Sequence, residues 1–361
     1  MTAIVASDDP PASIARGAPG CALFLLEAAR ALGRPDLLAK SASWQRLAYK
    51  IIDEADDPFG PPWIEERYGG ASGFYSGAAG LSWVDAALHD ALGAPEERGA
   101  AIRRFEACWH VARDRAANVT LLAGPAGILE AASAGGRRWR VTAAERECLA
   151  RIASEASDVT VQALHRVPEP DGVRLLGIAV GQAGPIYALL DAPQREHVEM
   201  ALEALSSPAE NGLAWSSDVP SFLAGEPMGA SWCNGVTGLL SLFLRAHDAN
   251  GEARWLDAAN ACGEIVAALP FENPTVCCGT AGRALTLRAL ALRTGDPRWI
   301  DSASSLLRHA LRFADDVAPG LMVGRAGLAW AALAFADADV SELLGFDPTT
   351  NSGSQDGDPE P

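Results

Sequence analysis

The chain has 361 residues, about half of them hydrophobic, with seven cysteines and a formal charge of −17. That length and apolar content can bury a large core, and an acid excess without any run of Lys and Arg excludes a nucleic-acid surface, because neutralising phosphates needs clustered cations. The opening MTAIVASDDPPAS has no basic n-region or apolar h-region, and no segment approaches eighteen consecutive apolar residues, so a cytoplasmic protein without membrane spans is expected.

Residues 1 to 13 form an Asp/Pro/Ser-containing lead. From there the tetrad G-x-x-G recurs seven times, opening at Gly17, Gly77, Gly124, Gly181, Gly235, Gly279 and Gly324, in steps of 60, 47, 57, 54, 44 and 45 residues. Each step accommodates two helices and their connections, so the unit reads as a helical hairpin. The segments entered from the tetrads, such as GLLSLFLRAHDANG (238–251) and GLAWAALAFAD (327–337), are apolar on nearly all faces, as helices buried on both sides must be. Pro185 fits a first helical turn. The partner segments, GRPDLLAKSAS (33–43), GEARWLDAANA (251–261) and GDPRWIDSASS (295–305), carry more charge and read as an outer layer. The glycines supply small size, or positive φ, where a loop enters a packed helix. The prediction is an all-α fold, an α/α toroid of seven inner and seven outer helices in one domain over 1–344, with 345–361 as a disordered acidic tail.

In a toroid the turns before the inner helices gather around the axis at one end. Three cysteines flank such turns: Cys233 in SWCNGVTG, and Cys277 and Cys278 in TVCCGTAG. The other four, Cys21, Cys108, Cys148 and Cys262, lie in helical runs and read as core. An odd number of cysteines suits metal binding or burial better than a disulfide framework. Three thiolates from neighbouring turns can bind one Zn²⁺ and leave the fourth tetrahedral position open, which is the pattern of a catalytic site.

The G-x-x-G series, W-C-x-G at 232–235, C-C-G at 277–279, FYSGAAGLSWVDAAL (74–88) and GIAVGQAGPIYALL (177–190) resemble the lanthionine synthetase C-like family of thioether cyclases. The resemblance runs from about Gly17 to Leu344. It implies an α/α toroid whose zinc is held by Cys233, Cys277 and Cys278, in a three-cysteine variant of the usual C-H-G. It also implies addition of a peptide cysteine, as thiolate, to the β-carbon of dehydroalanine or dehydrobutyrine, followed by protonation of the enolate. Three thiolates give the zinc site a formal charge of −1, against zero with two thiolates and a neutral histidine, which makes a substrate thiolate more nucleophilic.

Three family positions differ. The family's histidine before the fourth-repeat glycine is Val180, its aspartate four residues before the third-repeat glycine is Thr120, and its arginine four residues before the first cysteine is Gly229. Candidates for the missing acid and enolate-stabilising groups are Arg283, Arg325 and His165, although an arginine with a pKa above 12 is a poor acid. Trp232, Asn234 and Gln182 are candidates for contacting substrate. Asp85 and His89, spaced i, i+4, share a helix face. Residues 191–232 have the Gly, Pro and Ser content of a rim or lid. The expected partners are a precursor peptide and a dehydratase or kinase-like enzyme that prepares it. The alternative is a scaffold subunit that presents the peptide to another enzyme; a toroid glycosidase would leave the cysteines unexplained.

Overall fold

The computed structural model describes residues 10–59, 70–114, 119–164, 176–191, 195–206, 229–271 and 273–336. These residues form thirteen α-helices and no strand. Seven helices form an inner ring: α1 (Ala18–Ala31), α3 (Ala78–Leu92), α5 (Pro125–Arg138), α7 (Ala183–Leu189), α9 (Val236–Asn250), α11 (Thr280–Thr294) and α13 (Arg325–Phe335). Each packs on the next, and α13 packs back on α1, so the ring is closed. Six outer helices follow their inner partners as hairpins: α2 (Asp36–Glu54), α4 (Pro95–Asp114), α6 (Ala143–Gln162), α8 (Arg195–Ser206), α10 (Ala253–Ala268) and α12 (Pro297–Leu311). This is the predicted α/α toroid. A seventh outer helix after α13, and the acidic tail, fall outside the described residues.

The two layers follow from their sequences. α3 buries every residue from Ala79 to Leu88, and α11 every residue from Thr280 to Leu290. α12 instead buries Trp299, Ala303, Leu306, Leu307 and Ala310, the single stripe of a helix with one wet face. Gly93, Gly251 and Gly295, at φ near +70°, end α3, α9 and α11 in the left-handed conformation and turn the chain into the outer helix. A capping box between Thr142 and Glu145 starts α6.

Every inner helix is entered by the same turn. Counting back from the first glycine of each tetrad, position −2 is Ala15, Tyr75, Leu122, Ala179, Cys233, Cys277 and Met322. These seven residues are joined in a circle of backbone hydrogen bonds. The amide of Ala15 donates to the carbonyl of Tyr75 (3.0 Å), Tyr75 to Leu122 (3.1 Å), Leu122 to Ala179 (2.8 Å) and Ala179 to Cys233 (3.0 Å). Cys233 then donates to Cys277 (3.3 Å), Cys277 to Met322 (2.7 Å), and Met322 back to Ala15 (2.9 Å). The circle has no open edge, so these turn groups are paired without side-chain help.

Position −3 is always a buried apolar residue: Ile14, Phe74, Leu121, Ile178, Trp232, Val276 and Leu321, none more than 2 % exposed. A Cβ on the second glycine of any tetrad would lie 1.9 to 2.3 Å from the carbonyl oxygen of that residue. Close approach therefore explains the second glycines. The first glycines also need no positive φ: Gly77 and Gly279 sit at −142° and −144°, in the broad β region.

The opposite end of the inner ring is held by charges. Glu27 of α1, 2 % exposed, meets Arg30 at 3.0 Å and Arg138 of α5 at 3.5 Å. Arg245 of α9 reaches Glu130 of α5 and Asp191, both at 2.8 Å, and lies over the Tyr187 ring. Arg293 of α11 pairs with Asp248 of α9 at 2.5 Å.

Candidate metal centre

The turn circle places the three cysteines. Cys233 and Cys277 occupy position −2 of consecutive repeats, and Cys278 occupies position −1 beside Cys277. Trp232 and Cys233 both donate their amides to the Cys277 carbonyl, which locks the two turns in register. Asn273 organises the second turn from six residues before Gly279. Its Nδ2 donates to the Cys278 carbonyl at 2.9 Å, its Oδ1 accepts from the amide and hydroxyl of Thr275, and its carbonyl accepts from the Thr280 amide. The sequence reading missed Asn273. Asparagine bonding to backbone two residues on is a turn signal that could have found it.

The Cys278 Sγ lies 3.4 Å from both Cys233 Sγ and Cys277 Sγ, and all three sulfurs fall within 4.8 Å of one another. The separations far exceed a disulfide bond of about 2.05 Å. Four ligands at about 2.3 Å from a tetrahedral zinc would stand roughly 3.8 Å apart, so the cluster needs only a small expansion to hold one. All three cysteines are half-buried, and Cys233 and Cys277–Cys278 immediately precede the N-terminal ends of α9 and α11, whose dipoles favour negative charge. Hydrogen bonds from Cys277 and Cys278 hold the Cys233 thiol well below the ordinary thiol range. The bond to Cys233 in turn pushes Cys277 well up, and Cys278 to about 12. Soft sulfur donors that converge and must shed their protons are the chemistry of a thiophilic metal site. This is the one group of three or more potential metal ligands among the described residues.

Other candidates are placed differently. Arg283 is fully buried and donates to the carbonyls of Val266, Leu269 and Pro270, at and just past the C-terminal end of α10. Arg325 is exposed in the first turn of α13, and its charge reaches Cys21 of α1. His165 lies outside the described residues. Trp232 is buried in the −3 layer, with its ring edge-on to Tyr75 across the circle at 6.2 Å. The Asn234 Oδ1 accepts from the Gly177 amide at 3.2 Å, tying two turns together. Gln182 is half-buried at the start of α7. Thr120 is buried with its hydroxyl on the Ala123 amide, Val180 is partly buried, and Gly229 is exposed with open space where a Cβ would be.

Asp85 does share a face with His89, at 3.5 Å, but it points outward to Tyr49 of α2 and Arg104 of α4. Cys21 and Cys262 are core, whereas Cys108 and Cys148 are half-buried on outer helices. Of the connection 191–232, residues 195–206 form α8, and 207–228 lie outside the described residues.

A closed toroid of helical hairpins with three converging cysteines at its turn end defines a class, and the sequence comparison names it. The family model described as "Lanthionine synthetase C-like protein" matches residues 8–347, and the chain belongs to that family. No curated protein matches the chain. Among solved structures, "Nisin cyclase" is similar in fold at a TM-score of 0.68, with 15 % identity, over 92 % of this chain and 91 % of that one. An unsaturated glucuronyl hydrolase from Bacillus sp. GL1, described as responsible for degrading glycosaminoglycan, matches at a TM-score of 0.43 and 16 % identity, over 67 % of this chain and 74 % of that one. A score that low carries no argument about fold or activity. None of the described helices is long and apolar enough to cross a membrane.

Proposed function

We propose that the protein is a zinc-dependent thioether cyclase, which adds a peptide cysteine thiol to a dehydroalanine or dehydrobutyrine in a ribosomally made precursor. The observation that carries this reading is the convergence of Cys233, Cys277 and Cys278 at the turn end of a lanthionine synthetase C-like toroid. A bound Zn²⁺ would supply the Lewis acidity that keeps a substrate thiol ionised at neutral pH.

The chain's own residues do the rest of the work. Cys233, Cys277 and Cys278 would hold the ion through three anionic donors, with the substrate thiol as the ligand from outside. The backbone circle keeps their spacing fixed, so little reorganisation accompanies binding. The N-terminal ends of α9 and α11 offset the negative charge that gathers there. The substrate arrives already dehydrated, so a dehydratase or kinase-like enzyme is the proposed partner, with the cytoplasm as the proposed compartment.

The test is incubation of the zinc-loaded protein with a dehydrated, cysteine-containing precursor. Thiol alkylation and mass spectrometry should show loss of free thiol without change in peptide mass. Unchanged thiol would reject the cyclase reading for that peptide.

A second reading, favoured by Val180, Thr120 and Gly229, is a scaffold subunit that presents the precursor to another enzyme. It expects co-purification with that enzyme, no thiol addition by the protein alone, and unchanged pathway yield in Cys278→Ala.

A further inference from the structure

We propose that Arg16 is a catalytic residue of this site, the cation that holds the oxyanion developing on the substrate while the thioether forms. The proposal rests on the cyclase reading and adds a residue to it.

Position −1 of the seven turns reads Arg16, Ser76, Ala123, Val180, Asn234, Cys278 and Val323, and Arg16 is the charged residue of that tier. It therefore stands at the same level of the turn circle as Cys278. Backbone packing fixes its place: Ala15 both donates into the circle and accepts from it, and a Cβ on Gly320 would lie 2.7 Å from the Arg16 carbonyl oxygen. Hydrogen-bonded neighbours about 4.8 Å apart give a seven-membered circle roughly 11 Å across, in which residues two repeats apart are separated by roughly 9 Å. Repeats six and one are two apart, which an arginine side chain spans. The charge of Arg16 reaches Cys278, and the residue is half-buried, so a substrate can meet it with only partial screening.

The reaction needs such a group. The cysteine sulfur forms a bond to the β-carbon, the carbon–carbon π pair moves onto the carbonyl to give an enolate, and the thiol's proton is returned at the α-carbon by solvent. Nothing leaves, and no oxidant or reductant takes part. Negative charge thus moves from sulfur to an oxygen beside a site that already carries three thiolates. A guanidinium offers a fixed fork of N–H donors, so Arg16 stabilises the oxyanion while solvent supplies the proton.

The carboxylate of 3-mercaptopropionate stands as many bonds from sulfur as the enolate oxygen does, and 3-mercaptopropionamide is its neutral counterpart. Calorimetric titration of both into the zinc-loaded full chain should show the carboxylate binding about tenfold tighter, a preference that shrinks as salt is raised. Arg16→Gln should bring the two affinities to within about twofold, while amide affinity and zinc stoichiometry stay as in the native protein, and Arg16→Lys should keep most of the preference. A native protein without the preference, or an Arg16→Gln protein that retains it, overturns the proposal. If the preference depends on Arg16 but the dehydrated precursor is not cyclised, the anion site stands and the cyclase reading falls.

Discussion

The two ends of the toroid are held together by opposite means. At the turn end, seven backbone hydrogen bonds close a circle, and position −2 varies from alanine to tyrosine to methionine without altering it. At the other end, Glu27, Glu130, Asp191, Asp248, Arg138, Arg245 and Arg293 are engaged with one another across helices. An end closed by backbone can change its side chains from repeat to repeat, and so can acquire chemistry. An end closed by side chains has committed them to structure.

The largest effect should come from breaking the backbone end. In Gly282→Ala the new Cβ would sit 2.0 Å from the Val276 carbonyl oxygen, so the turn carrying Cys277 and Cys278 must move. A loss of about 4 kcal/mol or more is expected in denaturant unfolding, with loss of metal binding in what remains folded. Gly136→Ala, on α5 with nothing within 4 Å of the new atom, should instead gain roughly 0.5–1 kcal/mol.

Next comes the charged end. Arg245→Met leaves Glu130 buried opposite an apolar group, at a cost of about 3 kcal/mol. Burial already holds the Glu130 carboxyl above the ordinary range despite Arg245. The folded state then binds a proton more readily than the unfolded state, so this group's contribution to stability falls as pH rises above the ordinary carboxylate value. Losing Arg245 widens that window, and thermal melts should show a smaller penalty at pH 4 than at pH 7. Equal penalties would mean that Glu130 is not the group left unpaired. Metal binding should survive in the folded protein.

Arg283→Met tests a residue whose place in sequence suggests the first end but whose contacts are structural. Four N–H···O bonds to three carbonyls by the C-terminal end of α10 would be lost. About 2 kcal/mol of destabilisation is expected, with zinc content per folded chain unchanged. A collapse of zinc binding without a stability loss would return Arg283 to the site.

Arg283 also shows what the sequence could and could not reveal. It follows Gly279 by four residues, and nearness to a cysteine turn suggested a role there. One helical turn, however, carries that position around to face α10. Asp85 and His89 teach the same lesson, because i, i+4 spacing identifies a shared face but not which of two layers that face meets. The toroid itself was legible, since seven glycine tetrads and helices apolar all round leave few other solutions. The cysteine triad was legible too, because register against the tetrads brings positions −2, −2 and −1 together whatever the hairpin lengths. Arg16 lies between the polar lead and the first tetrad and belongs to no motif, and the bonds from Met322 and Val323 to Ala15 bring the first turn round to the cysteines.

The smallest effect on stability should separate chemistry from scaffold most sharply. In Cys278→Ser every backbone bond of the turn is kept, including the one from Asn273 Nδ2 to the residue 278 carbonyl, so the metal-free protein should unfold within about 1 kcal/mol of the native chain. Metal binding should behave quite differently. With the Cys277 and Cys278 thiols held up by their bonds to Cys233, taking up a metal must release protons from the cluster. Its apparent zinc affinity should therefore rise with pH around neutrality. The serine variant has lost one of the three thiolate donors, so its affinity should be lower at every pH and climb less steeply, which competition with a chromophoric chelator at several pH values can measure. A serine variant that bound zinc with native affinity and pH slope would remove Cys278 from the ligand set and leave the paired cysteines of the sixth turn without a shared purpose.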